Sequence, residues 1–321
     1  MGIGYCAGAR LFASTDATRE AHPALPKDGS FAREPAKGSR GIPPTGLVLL
    51  SIGSVQFGAA IAKGLFDAVG PGGTVLFRIS LSALILLLLW RPKLGGYARS
   101  EYGLAVVFGL ALAAMNLSLY LAIDRIPLGV AVTLEFVGPL GVAVAGSRRL
   151  LDGLWVMLAG TGVLLLAPLN VLGATELDPV GVAFALLAGA FWASYILLSA
   201  RVGGAFPGGT GLVISLCVGT LVLLPIGIAS GGYALLDPKL LLLGLGVAIL
   251  SSAIPYSLEL SALRTLPTRV FGVLMSLEPA VAALVGFLVL GELLDWRAVA
   301  AIGLVTVAAA GASLFGAYGE T

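Results

Sequence analysis

The stretch that decides the fold is DRIPLGVAVTLEFVGPLGVAVAG, residues 124–146. After a short polar start it is apolar enough for most of a membrane-spanning helix, yet it contains one carboxylate, Glu135. A helix rises about 1.5 Å per residue, so Glu135 is predicted to lie roughly 10 Å below a helix start near Leu128. A charge at the centre of a membrane helix costs about 2.5–3.5 kcal/mol, so such a side chain usually faces protein or water. Glu135 is therefore our first candidate for a functional residue.

Pro139 follows Glu135 by four residues and predicts a break in this helix. Proline donates no backbone hydrogen bond, and its ring crowds the carbonyl four residues earlier, here that of Glu135. Gly138 and Gly141 leave room beside the same turn. Transporters commonly build substrate sites from discontinuous helices with exposed backbone near the midplane. The alternative is a kinked packing helix whose glutamate only bonds a neighbour.

The whole chain has the composition of an integral membrane protein, with 58% hydrophobic residues, 11% charged residues and a mean hydropathy of +1.01. A spanning helix needs about 20 apolar residues. Residues 1–44 are polar and rich in Pro, Gly and Ser, which predicts a disordered tail. After that tail come ten apolar segments with short connections: 45–66, 72–90, 101–122, 128–146, 152–170, 178–199, 208–229, 240–262, 268–290 and 296–318.

The residue types exclude several kinds of site. Cys6 and Cys217 offer neither a disulfide framework nor metal-ligand spacing, and the only histidine is His22 in the tail. No G-x-x-x-x-G-K-[ST] loop is present, so ATP hydrolysis is not expected. We predict no cofactor and no nucleic-acid partner; the expected partners are a small-molecule substrate and the lipid bilayer.

Basic residues are distributed unequally between the two sides that the ten segments define. The tail and alternate loops hold fourteen Lys and Arg residues, and the opposite loops hold four. Positive charges concentrate in cytoplasmic loops, so both termini are predicted to be cytoplasmic. The fourteen are Arg10, Arg19, Lys27, Arg33, Lys37, Arg40, Arg91, Lys93, Arg99, Arg148, Arg149, Arg201, Arg264 and Arg269, and the four are Lys63, Arg125, Lys239 and Arg297.

The second half of the chain repeats the first. Three short matches recur in order at offsets of 136, 140 and 143 residues. Because each repeat holds five segments, the two copies must face opposite ways, as in many secondary transporters. We predict an all-α polytopic membrane protein with repeats at 45–170 and 178–318. The matches are PGGT at 71–74 and 207–210, prolines at 127 and 139 and at 267 and 279, and LLD at 150–152 and 293–295.

Several motifs resemble the threonine/homoserine exporter family, within the drug/metabolite transporter superfamily of proteins with paired EamA domains. The resemblance covers about residues 45–318. It implies a ten-helix inner-membrane carrier and, less directly, a role in amino-acid export. The motifs are LEFVGP at 134–139, PYSLE at 255–259, LPTR at 266–269, MSLEP at 275–279 and LGE at 290–292.

A second carboxylate, Glu278, directly precedes Pro279 in the ninth segment. When the two repeats are aligned on their prolines, Glu135 matches Met275 and Glu278 matches Gly138. Positions three apart share a helix face, so the two glutamates are predicted to line one cavity. The alternative is that Glu278 caps backbone donors of the partner repeat.

Three further charged residues have competing interpretations. Arg78, six residues inside the second segment, can pair with Glu135 or extend to the outer interface, and we favour the interface. Lys63 is close enough to a helix end to extend to the interface as well. Glu259 is placed at the cytoplasmic end near Arg264, where an ion pair is expected.

Uncharged polar and aromatic residues complete the candidate substrate site. Asn116 and Tyr120 lie one turn apart near the depth of Glu135, where they can bond a substrate or a neighbouring helix. Gln56 and Trp192 occupy matching positions in the two repeats. Trp192 shares a helix face with Tyr195, so these two can form a cavity wall or simply pack.

The leading interpretation is a secondary transporter that exports small amino acids such as threonine or homoserine, or related metabolites, by alternating access. Its transport is either proton-coupled or facilitated. A carrier of other solutes, such as drugs or sugars, is the alternative within transport. A membrane-embedded enzyme would need clustered nucleophiles and acid–base groups that the apolar segments lack. A scaffold would need no inverted repeat with paired buried glutamates.

Overall fold

The computed structural model describes residues 42–93, 95–145, 150–166, 177–207, 209–263, 266, 271 and 274–315. These residues form helices and connections, with no strand among them. The predicted tail up to residue 41 lies outside this range, as do Arg148, Arg149, Arg264 and Arg269. The first six helices are α1 (Pro44–Lys63), α2 (Phe66–Trp90), α3 (Arg99–Ile123), α4 (Leu128–Glu135), α5 (Val137–Ala145) and α6 (Leu150–Leu166). The rest are α7 (Pro179–Ala205), α8 (Thr210–Gly231), α9 (Pro238–Ala248), α10 (Ile254–Leu263), α11 (Glu278–Leu290) and α12 (Trp296–Phe315), with a 3₁₀ turn at Gly232–Leu236 and a π-helical segment at Ile249–Ala253.

Within the described residues, five helices are long and apolar enough to cross a membrane by length and composition. They are α1, α2, α3, α7 and α8, the last extended by the 3₁₀ turn. Shorter apolar helical stretches lie at Leu128–Val142, Gly153–Leu165, Pro238–Ala253, Glu278–Leu290 and Trp296–Gly311. Leu, Val and Phe side chains are exposed on the outside of the bundle, as expected for helices that face lipid.

Helix α2 begins six residues before the predicted start of its segment. The Pro71-Gly72 pair indicated a turn between two helices, but it lies inside α2 at a kink where Gly70 adopts φ 68° and ψ 169°. Glycine tolerates this positive φ because it has no Cβ. Arg78 is therefore the thirteenth of 25 residues in α2, roughly 18 Å from the helix start. The expected extension of Arg78 to the outer interface was wrong, because its side chain cannot span that distance.

The membrane segment that contains Glu135 is broken rather than bent. Helix α4 ends at Glu135, Phe136 is a turn residue, and α5 begins at Val137. Pro139 lies in the first turn of α5, where the missing N–H has no helical partner in any case. The segment of Glu278 is built in the same way, because a turn at Ser276 and Leu277 precedes α11. Phe136 and Ser276 both lie three residues before the proline of their segment.

Another proline opens the backbone between α9 and α10. Pro255 has no N–H to donate to the carbonyl four residues earlier, that of Ser251. The chain widens there into the π-helical segment Ile249–Ala253. Such segments occur often at functional sites. The Ser251 carbonyl instead accepts a hydrogen bond from Arg78 at 3.3 Å.

The helices pack in a pattern that brings the two halves of the chain together. Helix α2 packs on α8, α3 on α7, α1 on α10, α4 on α11 and α6 on α12. The innermost large side chains include Tyr120, Leu128 and Leu134, all fully buried. The broken helices α4 and α11 thus lie against each other, and their breaks face one central cavity.

Candidate transport cavity

The centre of the bundle holds a cavity of about 550 Å³. Most of its wall is apolar or aromatic. Its charged groups, among the described residues, are three carboxylates and one guanidinium. The polar and charged lining residues are Gln56, Arg78, Asn116, Glu135, Trp192, Tyr195, Ser251, Glu259 and Glu278.

The Glu135 side chain lines the cavity at the end of α4 and is only 5% exposed. Within the described part of the chain, no hydrogen-bond partner reaches its carboxylate. The charges of Glu278 and Arg78 both act on it, the first unfavourably and the second favourably. A carboxylate in this position is available to a cationic ligand or to a proton.

The backbone of Glu135 is covered, in contrast to the freed carbonyl that the sequence suggested. Gly189 of α7 packs so closely that an added Cβ would lie 2.6 Å from the Glu135 carbonyl oxygen. Gly138 likewise packs against the carbonyl of Gly189, whereas Gly141 has open space around it. The small residues near Glu135 therefore allow α7 to pack closely on this segment, and Glu135 faces the cavity through its side chain.

Arg78 is the guanidinium of the cavity and is 9% exposed. It donates to the Ser251 carbonyl at 3.3 Å and to the Tyr120 hydroxyl at 3.5 Å, and its Cζ lies 5.6 Å from the centre of the Tyr120 ring. Tyr120 does not line the cavity itself, but its hydroxyl and ring both contact the guanidinium of Arg78. The guanidinium is thus fixed at the wall, where it can bind an anionic group.

Gln56 and Glu278 form a hydrogen-bonded pair on the cavity wall, with Gln56 Nε2 donating to Glu278 Oε1 at 3.2 Å. The pair joins α1 to the start of α11. Pro279 lies behind Glu278 and does not line the cavity. The second carboxylate therefore faces the same space as Glu135, as the alignment of the repeats predicted.

The remaining predicted residues also lie at the wall. Asn116 donates through Nδ2 to the Leu112 carbonyl at 2.9 Å. Trp192 meets Phe136 edge-to-face at 5.4 Å between ring centres, and Tyr195 stacks on Phe108 at 5.0 Å.

Glu259 and Ser251 are two lining residues that the sequence did not place there. Glu259 accepts a hydrogen bond from Ser51 at 2.7 Å and faces the cavity. The ion pair expected for it involves Arg264, which lies outside the described residues. Pro255 was the signal for Ser251, because a proline four residues on frees a carbonyl that needs a new donor.

A charged cluster lies at one end of the cavity. Lys63 Nζ lies 2.6 Å from Glu292 Oε1, and the backbone N–H of Leu128 donates to Glu292 Oε2 at 2.8 Å. Leu128 itself lines the cavity. The sequence did not predict this partner for Lys63, whose extension to the interface stays a prediction. The described residues contain no group of three or more His, Cys, Asp or Glu side chains placed to bind a metal ion.

Comparison with known proteins assigns this architecture. The profile of the EamA-like transporter family matches residues 179–314. The threonine/homoserine exporter RhtA of Escherichia coli strain K12 is 43% identical over 271 residues, which cover 84% of this chain and 91% of that protein. The exporter of the same name from Salmonella typhimurium strain LT2 matches to the same extent.

The chain belongs to the EamA-like transporter family. This confirms the family predicted from the motifs, and it makes the protein a multi-pass membrane transporter rather than an enzyme. A solved crystal structure is similar in fold, with a TM-score of 0.53 and 17% identity, and the match covers 86% of this chain and 99% of the other. The transporter's central cavity is accordingly the candidate substrate site.

Proposed function

We propose that this transporter exports threonine, homoserine or closely related small amino acids across the plasma membrane. The observation that carries the proposal is the 43% identity to threonine/homoserine exporters over 84% of the chain. The cavity supports it, because carboxylates and a guanidinium line one space that is otherwise largely apolar. A free amino acid carries both opposite charges and so matches both groups.

In this proposal, Glu135 binds the substrate ammonium and Arg78 binds its carboxylate. Glu135 is the carboxylate of the cavity to which no described group donates. Arg78 is the guanidinium of the cavity wall, and a guanidinium carries five N–H donors. Asn116, Trp192 and Tyr195 complete the substrate site, and Tyr120 positions Arg78.

Glu135 also exchanges a proton in this proposal, which couples export to proton entry. Three carboxyl groups and one guanidinium line the cavity among the described residues. Like charges in so confined a space oppose one another, so protons on the carboxyl groups relieve the repulsion. A proton on Glu135 and a substrate ammonium would then compete for the same oxygens, which is the simplest means of exchange.

We propose ten transmembrane helices in two inverted repeats, 45–170 and 178–318, that rock to alternate access, with both termini and the tail 1–44 in the cytoplasm. The helix pairs support this arrangement. In an inverted repeat, each of the first five segments corresponds to the segment five places later. Three of the packed pairs join corresponding segments, namely α2 with α8, α4 with α11 and α6 with α12. The packing of α1 on α10 corresponds in the same way to the packing of α7 on α3. The family profile also begins and ends close to the second repeat.

The transport proposal is tested with the purified full-length protein in sealed proteoliposomes. Labelled threonine loaded inside should exchange for external threonine or homoserine, and a pH gradient should drive net flux. Sugars and hydrophobic drugs serve as competitors for the alternative substrates. If they compete and amino acids do not, the protein is a carrier of other solutes.

The topology is tested by single cysteines in a chain whose native Cys6 and Cys217 are replaced. A cysteine at Gly95 should react with an impermeant maleimide only from the cytoplasmic side. One at Gly173 should react only from outside. The reverse pattern contradicts the proposed orientation.

A further inference from the structure

The Gln56–Glu278 pair has two polar atoms for which the described protein supplies no partner. Gln56 Oε1 and Glu278 Oε2 are both buried, and no described residue donates a hydrogen bond to either. Gln56 is 1% exposed and Glu278 is 8% exposed, and both line the cavity. An orphaned buried acceptor typically costs about 1–3 kcal/mol. Native proteins rarely leave such groups without a partner, so a ligand is expected to supply one.

The chemistry of the pair determines what that ligand must provide. Gln56 Nε2 donates to Glu278 Oε1, so the Gln56 carbonyl oxygen faces away from that bond. With the exchanged proton on Glu135, the ionised carboxylate of Glu278 only accepts. The two free atoms are therefore oxygens. They require a ligand with a hydrogen-bond donor.

We infer that the Gln56–Glu278 pair is the subsite that recognises the hydroxyl of the substrate side chain, an inference that rests on the proposed function. Glu135 and Arg78 take the two charges that all amino acids share. The pair lies on α1 and α11, whereas Arg78 lies on α2 and Glu135 on α4, so the hydroxyl subsite and the charge-binding groups come from different helices. Much of the remaining lining is apolar, including Val55, Met115 and Leu119.

This subsite distinguishes amino acids of equal shape. Threonine and valine differ only in a hydroxyl in place of a methyl group. Valine would leave both oxygens without a donor, and sites built to bond a hydroxyl reject analogues that lack it strongly. The wild-type protein is therefore expected to prefer threonine over valine, and homoserine over norvaline, by at least about tenfold.

The test measures how well unlabelled amino acids compete with labelled threonine for exchange in proteoliposomes. Gln56→Met keeps the length of the side chain but removes both the acceptor and the donor. It should reduce the preference for threonine over valine about tenfold, by weakening threonine and not valine. Gln56→Asn withdraws the amide by one methylene and should reduce the preference less, which provides a second variant if the first does not fold.

Ser54→Ala is the matched control on the same helix. Ser54 donates to the Leu250 carbonyl at 2.7 Å and does not line the cavity, so its loss should not change the preference. Ser251→Ala tests another buried polar atom of the wall, Ser251 Oγ, which has no hydrogen-bond partner among the described residues. If Ser251→Ala abolishes the preference and Gln56→Met does not, the hydroxyl subsite is assigned to the wrong residues.

The outcomes separate this inference from the proposed function. If wild-type vesicles exchange no amino acid, the proposed function fails. If they exchange threonine but Gln56→Met weakens threonine and valine equally, the pair binds a group common to all amino acids, and only the hydroxyl subsite is overturned.

Discussion

Lys63, the last residue of α1, lies 2.6 Å from the carboxylate of Glu292, which follows the end of α11. The other oxygen of the same carboxylate accepts the backbone N–H of Leu128 at the start of α4. One side chain thus joins three helix ends at one end of the cavity. In the proposed orientation this is the outer end, and we propose that these bonds hold it closed between transport events.

Weakening this cluster should open the outer end more often. Glu292→Ala removes both bonds, so a reporter cysteine at Val132, on the cavity wall, should react with an impermeant maleimide from outside about tenfold faster. Lys63→Met removes one bond and should have a smaller effect.

Glu292→Gln is the informative comparison for the cluster. Its amide oxygen can still accept from Leu128, but the negative charge is lost, so labelling should be intermediate. The reporter requires a background without Cys6 and Cys217. Equal labelling rates in Glu292→Ala and the parent protein, at equal membrane abundance, would show that the cluster does not hold the outer end closed.

A second ion pair at the same end gives a pH-dependent stability. The backbone N–H of Val180 and the guanidinium of Arg125 both bond the carboxylate of Asp178, and they hold the pKa of Asp178 below its usual value. Because the pKa is lower in the folded state, the ionised carboxylate of Asp178 stabilises the folded protein. This stabilisation is complete above the usual aspartate pKa, near 3.9, and is lost as the pH falls through the lower folded-state pKa.

Asp178→Ala should therefore lower the melting temperature in detergent at pH 7, with little difference from wild type once both proteins are acidified below the folded-state pKa of Asp178. Asp178→Asn retains the cap for Val180 but loses the charge opposite Arg125, so it should be destabilised less. A difference that stays constant from neutral to acid pH would show that the charge of Asp178 is irrelevant.

The sequence predicted the position of Glu135 well because the argument was local. The depth of a residue follows from counting helical rise from the nearest start signal, and Pro127 set the start of α4 at Leu128. The proline spacing of the repeats then placed Glu278 beside the same cavity.

The contacts that the sequence did not predict are those between residues that are distant along the chain. Glu259 and Ser51 are 208 residues apart, and Lys63 and Glu292 are 229 apart. Such pairs arise from helix packing, which the local pattern does not specify. Arg78 was misplaced for a different reason, because a Pro-Gly pair that normally marks a turn instead forms a kink within α2.

The crossing of α5 and α7 gives a matched test of packing. A Cβ at Gly138 would collide with the carbonyl of Gly189, whereas a Cβ at Gly141 would meet no atom of the described residues within 4 Å. Gly138→Ala should destabilise the protein by about 1–3 kcal/mol through overpacking. Gly141→Ala, on the same helix, should be neutral or slightly stabilising.

Thermal unfolding of the two variants in one detergent provides the comparison. Because the Glu135 carbonyl packs on Gly189, Gly138→Ala should also reduce exchange of threonine at equal abundance. If both alanine variants melt together with the parent protein, the close approach of these helices is not a constraint.

The last prediction concerns the carboxylate of Glu135 itself. Glu135→Gln keeps its shape and removes its charge and its capacity to carry a proton. If Glu135 carries the coupling proton, flux driven by a pH gradient should fall at least about tenfold while threonine exchange without a gradient continues. If it only binds the ammonium, the half-saturating threonine concentration should rise instead, and the dependence of flux on pH should persist.

Glu101→Gln is the matched control for Glu135→Gln. Glu101 bonds the backbone N–H of Ala98 at the exposed start of α3, remote from the cavity wall, so its charge should have no effect on transport. Both roles of Glu135 are contradicted if Glu135→Gln transports with unchanged affinity, rate and pH profile at equal membrane abundance. Its buried charge would then be relieved by a neighbour such as Arg78, and Glu278 would become the first candidate for the proton site.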